Sequence, residues 1–159
     1  MSQDLCIKMQ DGILNIRVGA IIIKDGKFLM VENDRFDHMY SVGGRLKFGE
    51  TTEEAVVREV YEETGVKMEI DRLGFIHENF FLGDSLVKRG NVVHEISFFY
   101  YMKVPDDFEP ECNSFTEDGN KEYLVWISPD HPQKYYPEFF KTELSNPSME
   151  VKRFVTRNA

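Results

Sequence analysis

Cysteine is scarce in this chain: the 159 residues contain two, Cys6 and Cys112. Two cysteines so far apart make neither a disulfide framework nor a zinc-ligand pattern. Basic residues are in deficit, with 19 Lys and Arg against 28 Asp and Glu, a net charge of −9. That balance disfavours nonspecific attraction to nucleic-acid backbones or anionic membranes, so nucleic acid is not expected as a partner. No apolar run approaches the roughly 20 residues that span a bilayer, and the opening MSQDLCIKMQDG lacks the apolar core of a secretory signal. A reducing, cytoplasmic setting and no membrane partner are expected. Proline is absent before Pro105, so the first two thirds of the chain run without that breaker. There is no internal repeat, low-complexity tract or linker-like stretch, and the length suits one domain over residues 1–159.

Aromatic residues are plentiful by contrast, with thirteen Phe and seven Tyr, which speaks against disorder. Residues 13–23 and 27–33 are apolar and β-branched and flank Asp25-Gly26, the signature of a hairpin. A short extended piece, MYSVGG, ends in a glycine pair. Residues 67–82 and 91–104 read as two long strands, and KEYLVWI as a last one. SPDHP then turns the chain toward a helix over 132–144, and a final strand closes the domain. Between the two β-rich parts, from Thr51, Val56, Val60 and Thr64 recur every four residues as in a helix. Thr51 with Glu54 fits a capping box at its start, and Gly65 suits a left-handed exit at its end. The order lacks strict βαβ alternation, which predicts an α/β fold with a mixed central sheet flanked by helices.

That helix carries the puzzle. At about 100° per residue, Glu63 falls about 40° to one side of Glu59 and Glu62 about 60° to the other. Three carboxylates thus share one face, with Ala55 a turn earlier pointing the same way and leaving room above them. Val56, Val57 and Val60 occupy the core arc, and Arg58 has Glu54 as its i−4 neighbour. Such a cluster is commonly a solvated face. Yet Glu62 and Glu63 lie in the last turn, where acids oppose the helix macrodipole, and like charges in one turn repel. A hard divalent cation, Mg²⁺ or Mn²⁺, takes oxygen ligands and removes both objections.

The stretch GGRLKFGETTEEAVVREVYEETGV resembles the box of the Nudix (MutT-like) hydrolase family. Gly44, Glu50, Arg58-Glu59, Val60, Glu62-Glu63, Gly65 and Val66 all stand in register with its pattern. The resemblance implies a Nudix-type α/β/α sandwich and a metal-dependent hydrolase, with Mg²⁺ or Mn²⁺ as cofactor. Its substrate would be a small nucleoside diphosphate linked to another moiety. By matching position, Glu59 and Glu63 look like the principal metal ligands, Glu62 a further ligand or base, and the Gly43 carbonyl a companion. Glu50 and Arg58 look like a brace between loop and helix. Many members have proline where this chain has Val42, which leaves that carbonyl available. A cation there would neutralise the diphosphate oxygens and lower the pKa of a bound water, and a rigid helix suits chemistry that depends on positioning.

Other roles are open from sequence. Relatives often draw a base from a later loop, which by resemblance points to Glu117 in SFTEDGNKEY, with a plain polar turn at Asp118-Gly119 and an inward Glu95 as alternatives. Arg45, Lys47 and Arg17 are available to phosphate, and Phe48, Tyr40 and Phe80-Phe81 to a nucleobase, although such residues commonly serve solvation or core. His77 and His94 read as packed or edge histidines. ADP-ribose-specific relatives typically carry a proline after the box that is missing here, which disfavours that class. The aromatic C-terminal segment closes the domain, caps the pocket or makes a homodimer contact. Two further readings share the fold: a ligand-binding or regulatory module without hydrolysis, which would not need every glutamate, and an RNA-decapping enzyme, which the acidic balance disfavours.

Overall fold

The structure, a computed structural model, describes residues 2–83, 90–110, 114–115 and 121–159. In chain order the elements are β1 (Cys6–Met9), β2 (Gly12–Ile21), β3 (Ile23–Lys24), β4 (Lys27–Asn33), β5 (Met39–Arg45), α1 (Thr52–Thr64), β6 (Glu69–Leu82), β7 (Val92–Lys103), β8 (Ser114–Phe115), β9 (Lys121–Ile127), β10 (Tyr135–Tyr136), α2 (Phe140–Glu143) and β11 (Lys152–Arg157). The strands hydrogen-bond in the order β11-β6-β7-β2-β5-β4-β9-β8, with β1, β3 and β10 added beside β2, β4 and β5. Pairing is mixed: β2 runs parallel to β7, β11 to β6 and β10 to β5, while the remaining pairs are antiparallel.

Alternation along β2 explains why the sheet is covered on both faces. Val18, Ala20 and Ile22 point to one side, where they pack with Val42, Leu46 and the helix residues Ala55, Val56 and Val60. Ile21 points to the other, among Phe28, Phe75, Phe99, Tyr101, the α2 residue Phe140 and Leu144 just after it. At its centre neither face of such a sheet is left to water, so its strands are apolar in both registers. The expected sandwich is the result, with α1 and α2 on opposite faces.

The hairpin forms between β3 and β4, where Asp25 and Gly26 both take positive φ, 54° and 75°. This is the backbone a two-residue turn between right-twisted strands requires. The α1 boundaries agree with the sequence signals. Thr51 accepts from the Glu54 N–H while the Glu54 side chain accepts from the Thr51 N–H, and Gly65 leaves the helix in the left-handed region at φ 76°. The second helix is much shorter than the predicted 132–144. Pro132 and Pro137 offer no backbone donor, residues 135–136 are used as β10 against β5, and helix begins only at Phe140. No helix among the described residues is long and apolar enough to cross a membrane.

The candidate cation and phosphate site

The β5 strand runs into the box loop, and α1 brings the box back across it. Two glycines make the close approach workable. Gly43 has φ 151°, and a Cβ there would stand 2.1 Å from the Val18 carbonyl oxygen. At Gly44 a Cβ would meet the Glu59 carboxylate at 2.3 Å, so the missing side chain is the space that this carboxylate occupies. The Gly43 N–H donates to Glu63 Oε2 at 2.8 Å. Glu59 and Glu63, one helical turn apart, are thereby drawn to the glycine pair.

The expectation of one shared acidic face is corrected in part. Glu59 and Glu63 turn toward the glycines, but the Glu62 side chain is 51% exposed and lies against Arg58. Ala55 does not leave space above the acids; it is fully buried in the core with Val56 and Val60. Arg58 is not engaged by Glu54, which is occupied in the helix cap. Its guanidinium instead grips Glu50 through two bonds, Nε to Oε2 at 2.7 Å and Nη2 to Oε1 at 2.9 Å. It also donates to Glu59 Oε1 at 2.9 Å and to the Arg45 carbonyl at 3.2 Å. Glu50 additionally accepts the Lys47 N–H at 2.9 Å. A forked, always-charged donor is needed to join four groups from loop and helix at once.

The electrostatics follow from this packing. The two bonds from Arg58 hold the Glu50 carboxyl below its ordinary range, and Glu50 in return raises the Arg58 guanidinium further. Burial raises Glu59, with Arg58 opposing. Glu63 is pushed well above its ordinary value by burial first and by the Glu59 charge next, with the Gly43 N–H only partly offsetting. Arg17, on β2, lowers both acids through its charge.

These raised carboxyls set a pH dependence. A group that binds protons more tightly when folded makes the folded state the more protonated one, so unfolding becomes easier as pH rises. The metal-free protein is therefore expected to lose stability as pH climbs from the ordinary carboxylate value of 4.5 through the raised value of Glu63. Millimolar Mg²⁺ should abolish that loss, because the cation compensates the ionised pair. Thermal melts at successive pH values, with and without Mg²⁺, check both halves. A flat metal-free profile in that window would count against the cluster.

The donor set suits a hard divalent cation: oxygen ligands only, one carboxylate seated in a glycine cradle, and another desolvated with a backbone N–H on one oxygen. Among the described residues no three acid, histidine or cysteine side chains already converge as a closed cage, since Arg58 draws Glu59 and Glu62 aside. Glu59, Glu63 and the Gly43 carbonyl are the groups that would hold the ion, with Glu62 within reach by rotation. The glycines give a separable test. Gly43→Ala is expected to destabilise the fold, because the added carbon meets backbone. Gly44→Ala should leave the melting temperature nearly unchanged while displacing the flexible end of Glu59, so that Mn²⁺ binding weakens.

The proposed substrate contacts scatter. Arg45 pairs with Asp4 at 3.7 Å, and Lys47 joins Asp4 in a lone β-bridge. Phe48 is 73% exposed at the loop tip, without a core role. Phe80 lies with His94 at 4.4 Å between ring centroids and under the Arg157 guanidinium at 4.2 Å, neither of them from the box. His77 is buried against Phe139 and Thr156, and Glu95 takes the Asn15 amide at 2.8 Å across the β2–β7 pair. Glu117 and Asp118 lie outside the described residues.

One acid near the site was missed. Glu122, on β9, accepts the Tyr40 phenol proton, and its charge is felt at Glu63. The only sequence signal was an acid two and four residues before the inward-packed Leu124 and Trp126 on a period-two strand.

The family model for the NUDIX domain matches residues 14–143. A MutT-like protein of Streptomyces ambofaciens is 36% identical over 61 residues, covering 38% of this chain and 40% of that one. An ADP-ribose pyrophosphatase of Methanocaldococcus jannaschii is 46% identical over 54 residues, 32% of each chain. The chain thus spans well under half the length of either relative. A MutT NUDIX hydrolase structure from Burkholderia pseudomallei superposes with TM-score 0.60 at 23% identity, over 85% of this chain and 98% of that one. With the family model running from β2 to the end of α2 and the box intact within it, this chain belongs to the NUDIX domain family.

Proposed function

We propose that the chain, acting as one catalytic unit, hydrolyses the diphosphate linkage of a nucleoside diphosphate joined to another moiety, with Mg²⁺ or Mn²⁺ as cofactor. The observation that carries this reading is the seating of Glu59 and Glu63 on the glycine pair while Arg58 ties Glu50, Glu59 and the loop carbonyl into one rigid piece. A bound divalent cation supplies charge neutralisation at the diphosphate and activation of water. The protein's own part is placement. Arg58 and Glu50 fix the loop to the helix. The Gly43 N–H aims Glu63. Glu62, half in water and free to exchange Arg58 for another partner, is placed to accept a proton, and Glu117 is a second acid to test in that role. Arg17, whose charge lowers both Glu59 and Glu63, is a cation to test against a substrate phosphate; Arg45, Lys47, Phe48 and Phe80 are weaker candidates for substrate contact.

The resemblance to an ADP-ribose pyrophosphatase keeps nucleoside diphosphate sugars among the substrates to try, although the proline expected of that class is missing. The test is a panel of nucleoside diphosphate sugars, dinucleoside polyphosphates and nucleoside triphosphates. Each is incubated with Mg²⁺, Mn²⁺ or a chelator, and products are separated chromatographically. Cation-dependent release of a nucleoside monophosphate from one class is the expected result. Tight binding of a nucleotide with no cleavage under either cation would replace this reading by that of a regulatory module.

A further inference from the structure

Five of the nine large apolar side chains exposed among the described residues, Ile7, Met9, Leu82, Val92 and Val155, stand on one face of the sheet. The strand registers bring them together. Ile7 pairs with Leu14, Leu14 with His94, His94 with Phe80 and Phe80 with Arg157, so one row crosses β1, β2, β7, β6 and β11. The next row runs through Ile16, Ile96, Glu78 and Val155, and Val92 with Leu82 lies one row to the other side. By strand alternation Leu14 and Ile16 share the side of Val18, which is the α1 side. The helix buries Val18 and Ala20 but stops short of the strand ends beyond: Leu14, Phe80 and Ile96 are half-buried and Val92 is 41% exposed. On the α2 side of the same strands Ile13, His77, Val93 and Ser97 are buried. One side is finished within the chain, and the other is not.

Exposed apolar side chains scattered singly are ordinary, whereas a contiguous patch marks an interaction surface. The patch extends to the row of Phe98, Ile76 and Arg153. With strands about 4.8 Å apart and same-face residues about 7 Å apart along each, five strands by four rows make roughly 600 Å². Two such faces bury about 1,200 Å², the lower end for stable specific complexes. The charges indicate what seats there. At the β11 border Arg153 and Arg157 stand on this face, Arg153 bonded to Glu78 and the Arg157 guanidinium 4.2 Å from the Phe80 ring centroid. The β1 border ends in the exposed Asp11, at the turn into β2. A chain of net charge −9 thus presents a cationic border and an acidic tip on one apolar tile, as self-recognition requires. A two-fold axis along the strands lays β11 of one copy on β1 of the other and brings Arg157 to the second copy's Asp11. An axis across the strands would lay β11 on β11 and set arginines against arginines, which like-charge repulsion disfavours. The first arrangement also keeps the two sheets aligned, a common way for sheets to stack.

We propose that the chain is a homodimer in solution, with the open part of the α1 face of each copy packed on that of the other about a two-fold axis parallel to β7. Because β7 is the middle strand of the five, Val92 meets its own counterpart, while β1 and β11 exchange places across the interface. The apolar rows supply the attraction, and the contacts between Arg157 and Asp11 set the direction. The inference is independent of the reading of the cation site.

The test is sedimentation velocity of the purified protein from about 1 to 100 μM, where interfaces of this size are expected to associate. The parent should be dimeric at the upper concentration. Val92→Glu should raise the dimer dissociation constant about a hundredfold, since two acids then meet on the axis. Thr142→Glu adds the same charge on α2, in the opposite layer, and should associate as the parent does. Arg157→Glu and Asp11→Arg should each weaken the dimer about tenfold, because each contact occurs twice. Together they exchange the charges and should restore association to near the parental level. If Val92→Glu fails to fold by circular dichroism, Leu82→Glu, at another exposed apolar position of the face, carries the test. A parent that stays monomeric throughout would overturn the proposal and leave the face to a different partner. Parental association in Val92→Glu, or in Leu82→Glu if that is the variant available, would overturn it too, as would equal dissociation in Thr142→Glu. A double charge variant no stronger than either single one would overturn the two-fold arrangement.

Discussion

Glu63→Gln is expected to lower turnover by about 10³-fold, in the range found when one transition-state stabiliser is removed, while leaving the metal-free protein as stable as before or more so. The two effects have one cause. Glu63 is half-buried, its proton affinity raised by desolvation and by Glu59, so its ionised form opposes folding until a cation arrives. Glutamine keeps the shape and the acceptor for the Gly43 N–H but carries no charge, so the repulsion with Glu59 and Glu122 vanishes together with the ligand. Melting curves should show the variant equal to or above the parent without metal, and below it once Mg²⁺ is added, because only the parent gains from binding. Glu62→Gln should also lower turnover, but without the gain in metal-free stability, since half of its side chain is already in water. A Glu63→Gln protein that is destabilised without metal, or that turns over at the parental rate, would show that the buried acid is structural.

The contrast between Glu62 and Glu63 also marks where the sequence was informative. Helix limits, capping box, exit glycine and the Val56–Val60 core stripe were legible because each rests on local periodicity and on residues within four positions. The hairpin at Asp25-Gly26 was legible for the same reason. The wheel placed three acids on one face correctly as an angle, but an angle does not say what lies opposite it. Gly44 admits Glu59, Gly43 holds Glu63, and Arg58 takes Glu62, which are contacts between a strand, a loop and a helix. The second helix was overlong in the reading because SPDHP looks like a turn into a helix, whereas the available β5 edge claims the strand-favouring Tyr135 and Tyr136. Glu122 was passed over because its meaning comes from Tyr40, 82 residues away. Pairwise geometry between distant strands is what a single sequence does not carry.

Arg58→Lys is the variant expected to separate charge from shape. Lysine keeps the positive charge in the cluster but cannot bridge Glu50 twice and reach Glu59 and the Arg45 carbonyl together. Hydrogen bonds to charged groups contribute roughly 1.5–3 kcal/mol each when geometry is good, and Arg58 is mostly enclosed, with 23% of its side chain exposed. Loss of the fork with one bond retained should therefore lower the unfolding free energy by about 2–3 kcal/mol in urea titrations. Turnover should fall about 10²-fold, because the loop that carries Gly43 and the helix that carries Glu63 would no longer move as one body. The pH profile supplies a third readout. Arg58 holds Glu50 below the ordinary value of 4.5, so this pair contributes stability that is present above that value and lost as pH falls toward the depressed one. Arg58→Lys should shrink that acid-side loss, and Glu50→Gln should remove it, while the double variant is no less stable than the weaker single one, as expected of residues acting together. If the two substitutions simply add, the brace is two independent surface contacts, and the rigid platform on which the proposed chemistry depends is not built by Arg58.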